Sequence, residues 1–241
     1  MNTKYLGLTA AAALVASTAG AFAATVTIDS FDTDQVVSDV PSASSVNNST
    51  IAAPEAIGGF RTMAASNSTS NRPTDATTFD SFGGILTFSN TRNSTGSGSL
   101  TYDADGAGLM TSLLIGTDPF FSFEGASFDN DSNVNITANL TDNDGTVISY
   151  VENVASGNFS PDLFLTQFNT DEDYDDFDFG NVFALQFIVD TIGLQDNIDG
   201  QISAITLNAG DTPPNVIPLP ATGLLLLGGL GGLTVLRRKK A

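Results

Sequence analysis

Residues 134–154 read VNITANLTDNDGTVISYVENV. Val134, Ile136, Ala138 and Leu140 alternate with Asn135, Thr137, Asn139 and Thr141. A period of two sorts side chains onto opposite faces of a strand, so this pattern describes a sheet covered on one side only. Asp144-Gly145 then reverses the chain, since both residues tolerate the positive φ that a tight hairpin needs. TVISYVENV is the return strand. The stretch predicts an antiparallel hairpin with one buried face.

The same grammar extends outward. Val26 and Ile28 alternate in TVTIDSF, Gly83-Gly84 precedes ILTFSN, and Ser99–Asp103 reads as a strand that ends at Asp105-Gly106. Phe183, Leu185, Phe187 and Val189 alternate again, and ISAITLNA closes the series. From Ser38 to Asn71 the chain is rich in Ser, Asn, Thr and Ala, which predicts long loops around one or two short strands. Neither a stretch of helical period nor an internal repeat is evident in the body. Short strands punctuated by turn residues predict an all-β domain, a β-sandwich or jelly roll over residues 24–209, with 17 Phe supplying core volume in the absence of Trp.

Charge narrows the function classes. Between Ala24 and Asp211 three arginines, Arg61, Arg72 and Arg92, stand against all 27 acidic residues, an excess of 24 negative charges. Such a surface repels phosphate backbones, so nucleic acid is not an expected partner. The sequence has no Cys and no His, which removes ordinary zinc sites, Ser-His-Asp triads and Cys-His dyads from consideration. Carboxylate pairs could in principle serve a glycosidase, but the acids sit in polar loops, so no enzymatic activity is expected.

The two ends carry their own signals. In residues 1–23, Lys4 precedes an apolar run that ends in Ala21-Phe22-Ala23, the pattern of a secretory signal peptide cleaved after Ala23. Residues 210–216 form a Gly/Pro linker. Residues 217–241 read IPLPATGLLLLGGLGGLTVLRRKKA. The run from Leu219 to Leu236 has no charge, and as a helix it would reach about 27 Å, near the thinnest bilayer core. Arg237, Arg238, Lys239 and Lys240 would stop transfer. One reading is a plain C-terminal transmembrane anchor. Pro218-Leu219-Pro220-Ala221, the apolar helix and the basic end together resemble the VPLPA variant of the PEP-CTERM sorting signals of Gram-negative bacteria, with Ile217 in place of Val. This resemblance implies recognition by an exosortase, cleavage near the proline motif, and delivery to the cell surface or its polysaccharide matrix after a brief tether in the inner membrane.

Within the body the order of IDSF, Gly58-Gly59-Phe60-Arg61, LTYDADG and ISAITL is similar to exported jelly-roll modules of carbohydrate-binding or galactose-binding-like type. That resemblance carries no site residues. Asp129-Asn130-Asp131-Ser132-Asn133 and Asp142-Asn143-Asp144-Gly145 look like pieces of calcium loops, against which stands ordinary turn chemistry. The run from Asp171 to Asp178 is read either as a solvated acidic loop or as a calcium site with Asp171, Asp173 and Asp175 as ligands; no other cofactor is expected. Phe120, Phe121, Phe123 and Phe128 are read as core in preference to an exposed aromatic patch. Asn-x-Ser/Thr triplets at Asn48, Asn67, Asn93, Asn135 and Asn139 are read as composition. The expected role is a non-enzymatic surface or exopolysaccharide-matrix protein; the alternative is a cell-surface carbohydrate-binding module.

Overall fold

The computed structural model describes residues 24–40, 47–69, 72, 74–91, 94–129, 134–154, 157–158, 161–191 and 198–210. Residues 1–23, expected from sequence to be a signal peptide, and residues 217–241, expected to be a sorting segment, lie outside these residues. Among the described residues no helix is long and apolar enough to cross a membrane.

In chain order the strands are β1 (Thr25–Asp29), β2 (Gln35–Asp39), β3 (Asn48–Ala52), β4 (Phe60–Thr69), β5 (Thr77–Phe82), β6 (Ile85–Asn90), β7 (Thr95–Tyr102) and β8 (Phe120–Glu124). They continue as β9 (Ser127–Phe128), β10 (Val134–Asp142), β11 (Val147–Val154), β12 (Gly157–Asn158), β13 (Asp162–Phe164), β14 (Val182–Asp190), β15 (Asp199–Ile202) and β16 (Ala204–Asn208). Three short 3-10 turns, Ile57–Gly59, Leu165–Thr170 and Tyr174–Asp176, complete the described elements.

One sheet has the order β11-β10-β14-β7-β4-β3. The expected hairpin is its first pair, in register from Val134↔Val154 to Thr141↔Val147. Val134, Ile136, Ala138 and Leu140 are all fully buried, as their alternation requires. The second layer consists of two ladders, β12-β9-β15-β6-β5-β2 and β1-β16-β8-β13. The chain passes directly between them, from β8 to β9 through Gly125 and Ala126 and from β15 to β16 through Ser203. At the junction Gly125 has φ 61°, and Ser203 donates both its N–H and its hydroxyl to the Glu124 carbonyl, each at 2.8 Å. Both ladders pack on the first sheet. Phe121 and Phe123 of β8 meet Phe187 of β14 edge-to-face at 5.2 and 5.4 Å, and the Phe79 ring of β5 lies over Gly98 of β7. The architecture is therefore an all-β sandwich.

Local chemistry explains the turns. Gly83 and Gly84, at φ 61° and 80°, make the two-residue connection from β5 to β6, a geometry that side chains with a Cβ adopt only at a cost. Gly98 answers a different need, since a Cβ there would sit 2.8 Å from the Phe79 ring. Gly98→Val is expected to destabilise the domain by about 1–3 kcal/mol through overpacking. Denaturant midpoints of the two proteins check this, and equal midpoints would refute the contact.

The segment from Ser38 to Asn71 departs from expectation. It holds β3 and also β4, which at 10 residues is the longest strand described and lies between β7 and β3 within the first sheet. Its inward side chains are Arg61, Met63 and Ala65. An arginine and small residues on the covered face erase the hydrophobic contrast on which a periodicity argument depends.

Candidate functional site

The outer face of the sheet β11-β10-β14-β7-β4-β3 is mostly polar and carries little charge. Cross-strand pairing aligns Ser149, Asn139, Gln186, Thr101, Thr62 and Thr50 in one row across all six strands. Neighbouring strands lie about 4.8 Å apart, so the row is about 24 Å long. Within it the Asn139 amide donates to Gln186 Oε1 at 2.9 Å and the Gln186 amide donates to Thr101 Oγ1 at 3.2 Å. The Thr50 and Thr62 hydroxyls share a bond of 2.8 Å. A flanking row runs Val151, Thr137, Ile188, Ser99, Ala64 and Asn48. A third begins Asn153, Asn135, Asp190, Ser97 and Ser66, with the Asn153 amide donating to Asn135 Oδ1 at 2.8 Å.

Asp190 is the single charged side chain in these three rows. The other acidic residues of the body, which carries 24 excess negative charges, lie outside these rows. Amides and hydroxyls both donate and accept. The internal bonds hold the amides in place and leave further donors and acceptors facing outward. Such a face can exchange hydrogen bonds with the hydroxyls of an extended neutral polymer.

A sequence signal for this face was present in the Asn-x-Thr triplets. Residues two apart on a strand share a face. Asn48 and Thr50, Asn135 and Thr137, and Asn139 and Thr141 are therefore outward pairs of β3 and β10, with Ile136 and Leu140 buried between members of the last two.

Of the acidic residues singled out from sequence, Asp171 lies at the β11 edge, Asp142 at the β10–β11 hairpin end and Asp129 just after β9. Asp171 accepts the Ser149 N–H of the edge strand β11 at 2.9 Å through Oδ2, and the Asp173 N–H at 3.1 Å through Oδ1. Asp173 and Asp175 are exposed. Among the described residues no three carboxylates converge as a metal site would require. Asp142 is buried at the end of the β10–β11 hairpin. Its Oδ1 accepts the N–H groups of Asp144 and Thr146 at 3.0 and 2.9 Å, and its Oδ2 accepts that of Asp178 at 3.1 Å. Burial raises its pKa, and the backbone donors of Asp178, Thr146, Asp144 and Gly145 outweigh that, so the carboxyl sits below the usual range. This is turn chemistry. Asp129 exchanges bonds with Asp199, and residues 130–133 lie outside the described set.

Phe121, Phe123 and Phe128 are buried, and Phe120 is half-buried against Phe164 at 4.9 Å, so the aromatic cluster is core. Ala21, Ala23, Pro218, Leu219, Pro220, Ala221, Arg237, Arg238, Lys239 and Lys240 lie outside the described residues.

A second polar constellation went unread in the sequence because it is sealed inside. Arg61, wholly buried, meets Asp29 at 3.0 and 3.2 Å through Nη1, and Nη2 donates to the Thr33 carbonyl at 2.6 Å and to Ser81 Oγ at 2.8 Å. Nε donates to Gln35 Oε1 at 2.9 Å, and the guanidinium carbon stands 5.6 Å from the centre of the Phe31 ring. Asp29 also accepts the Phe31 N–H and the Tyr102 hydroxyl, at 2.8 and 2.9 Å. Burial holds the Asp29 carboxyl above its ordinary range, with Arg61, the Phe31 N–H and Tyr102 pulling it back. Burial and the adjacent Asp29 push the Tyr102 phenol far up. The cluster unites IDSF, GGFR and LTY, which the sequence showed only as an order. With its members buried and its donors satisfied, it braces β1, β2, β4, β5 and β7.

No protein-family model matches the chain, and no curated protein does. Several solved structures are similar in outline. A mutant of CBM29-2, a family 29 carbohydrate-binding module, aligns with 8% identity and a TM-score of 0.33, over 76% of this chain and 98% of its own. The C-terminal family 22 carbohydrate-binding module of Clostridium thermocellum Xyn10B aligns with 13% identity and a TM-score of 0.31, over 77% and 94%. The agarase AgWH50C aligns with 13% identity and a TM-score of 0.40, over 60% and 24%; this chain thus spans less than a quarter of its length. At such scores the likeness transfers no site residue and no activity.

Proposed function

We propose that this chain is an exported, non-enzymatic protein of the cell surface or exopolysaccharide matrix, and that the outer face of its six-stranded sheet rests against neutral polysaccharide. The observation that carries the binding reading is the row Ser149, Asn139, Gln186, Thr101, Thr62 and Thr50, uncharged across six strands of an otherwise strongly acidic domain. Uronate or sulfate polymers are repelled by the domain's net charge. Neutral sugars are not, and their hydroxyls match the amide and hydroxyl groups on offer. The export reading rests on the tail: Pro218-Leu219-Pro220-Ala221 with the apolar helix and Arg237, Arg238, Lys239 and Lys240 is the handle for an exosortase, and the helix holds the protein at the inner membrane until it is cut.

Two measurements test this. Intact-mass analysis of protein recovered outside the cell is expected to show a chain that begins at Ala24 and lacks the basic end; a retained Lys240 would end the sorting reading. Asn139→Ala combined with Gln186→Ala is expected to weaken binding to neutral oligosaccharides at least tenfold, about 1.4 kcal/mol. Absence of binding by the parent protein across gluco-, galacto- and manno-oligosaccharides would overturn the polysaccharide reading.

A further inference from the structure

We propose that the domain has a second glycan-binding site, a groove on the outer face of the opposite layer, so that one domain links two polysaccharide chains. The inference rests on the reading that the protein binds neutral polysaccharide, and it comes from a different surface. An open groove of about 560 Å3 runs over β6, β15 and β9, lined by Thr87, Ser89, Ser127, Asp129, Asp199 and Gln201. Pairing places Thr87 beside Gln201 and Gln201 beside Ser127, and Ser89 beside Asp199. Hydroxyl, amide and carboxylate groups from three strands thus converge on one concavity.

The groove groups are available. The side chains of Ser89, Ser127, Asp199 and Gln201 hold no hydrogen bond to another described residue. Asp199 and Gln201 are exposed, and the carboxylate of Asp129 spends one oxygen on the Asp199 N–H. Two carboxylates without a basic residue among the lining exclude an anionic ligand and offer strong acceptors to sugar hydroxyls.

The same face supplies an apolar neighbour. Ile85 precedes Thr87 by two residues on β6 and pairs with Phe82, which is 70% exposed, and Val36 is 60% exposed on β2. A sugar ring has an apolar C–H face and a hydroxyl edge. An exposed phenylalanine beside a polar groove provides for both, and this is the only layer whose outer surface combines them among the described residues. The occupant is a neutral glycan segment.

The experiment uses the mature domain with neutral gluco-, galacto- and manno-hexaose in calorimetric titration, then the corresponding long polymers in a turbidity assay. Two sites per domain and polymer precipitation are expected. Ser89→Ala with Gln201→Ala should leave one site, abolish precipitation and keep the circular dichroism of the parent. Phe82→Ala should weaken the same site at least fivefold. A single site that the Asn139/Gln186 variant removes and the groove variants leave unchanged would overturn the second site while the first stands. No heat with any hexaose and no precipitation would overturn both.

Discussion

Arg61→Met is expected to lower the unfolding free energy by about 3–5 kcal/mol at pH 7, the range for breaking one side of a buried ion pair. The substitution keeps most of the aliphatic volume and removes the cation. Asp29, at zero exposure, then retains the Phe31 N–H and the Tyr102 hydroxyl but has no positive partner at hydrogen-bond distance. Its carboxyl already lies above its ordinary range because of burial, and losing Arg61 raises it further. A carboxyl raised on folding favours the native state in its protonated form. Its contribution is therefore complete below the unfolded value and is lost as pH rises through the folded one. The deficit of the variant should be smaller at pH 4 than at pH 7. Adding Asp29→Leu should recover much of the loss, because two apolar groups leave no buried charge behind. Urea unfolding of the parent, single and double variants at both pH values reads all three effects. A loss under about 1 kcal/mol at pH 7 would show that the cluster is not the brace described above.

Asp142→Ala should cost about 1–3 kcal/mol, with the opposite pH dependence. The substitution strips acceptors from the N–H groups of Asp144, Thr146 and Asp178, each bond being worth about 1 kcal/mol net, with water regaining part of it at a hairpin end. Here the folded carboxyl is depressed below its reference of 3.8. Its contribution is present above that value and fades as pH falls through the folded one. The gap between parent and variant should be full at pH 6 and should narrow below about pH 3.8. Glu55, whose carboxyl is also lowered, weakens the parent and the variant alike on the acid side, so the difference isolates Asp142. A gap that is constant from pH 6 to pH 2.5 would mean that Asp142 does not act as the capping carboxylate of this hairpin. The carboxylates of Asp142 and Asp171 hold backbone N–H groups at a hairpin end and a sheet edge, where acidic residues recur for local reasons.

Legibility varied with the contrast between faces. ILTFSN emerged as β6 to the residue, and the hairpin at 134–154 could be read because apolar and polar side chains alternate from Val134 to Thr141 ahead of Asp144-Gly145. β4 could not, because Arg61 stands where an apolar residue would advertise a covered face. The polar face is written into Asn135, Thr137, Asn139 and Thr141, but only the pairing of β10 with β14 and of β14 with β7 extends it across the sheet. The groove had no such trace, since its residues come from positions 87–89, 127–129 and 199–201.

Alternation, turn residues and charge were enough to establish an all-β acidic domain and its hairpin, because these are local properties of backbone geometry and composition. The proposed export signals are equally local: each is a contiguous run read from its order of apolar and basic residues. Sheet order, the burial of Arg61 with Asp29, the six-strand polar row and the groove depended on the folded chain. Strand period tells that a strand has two faces, but not which is covered or what lies beside it. Those answers come from pairings between distant residues, such as Thr25 with Asn208, and only the packed layers bring them together.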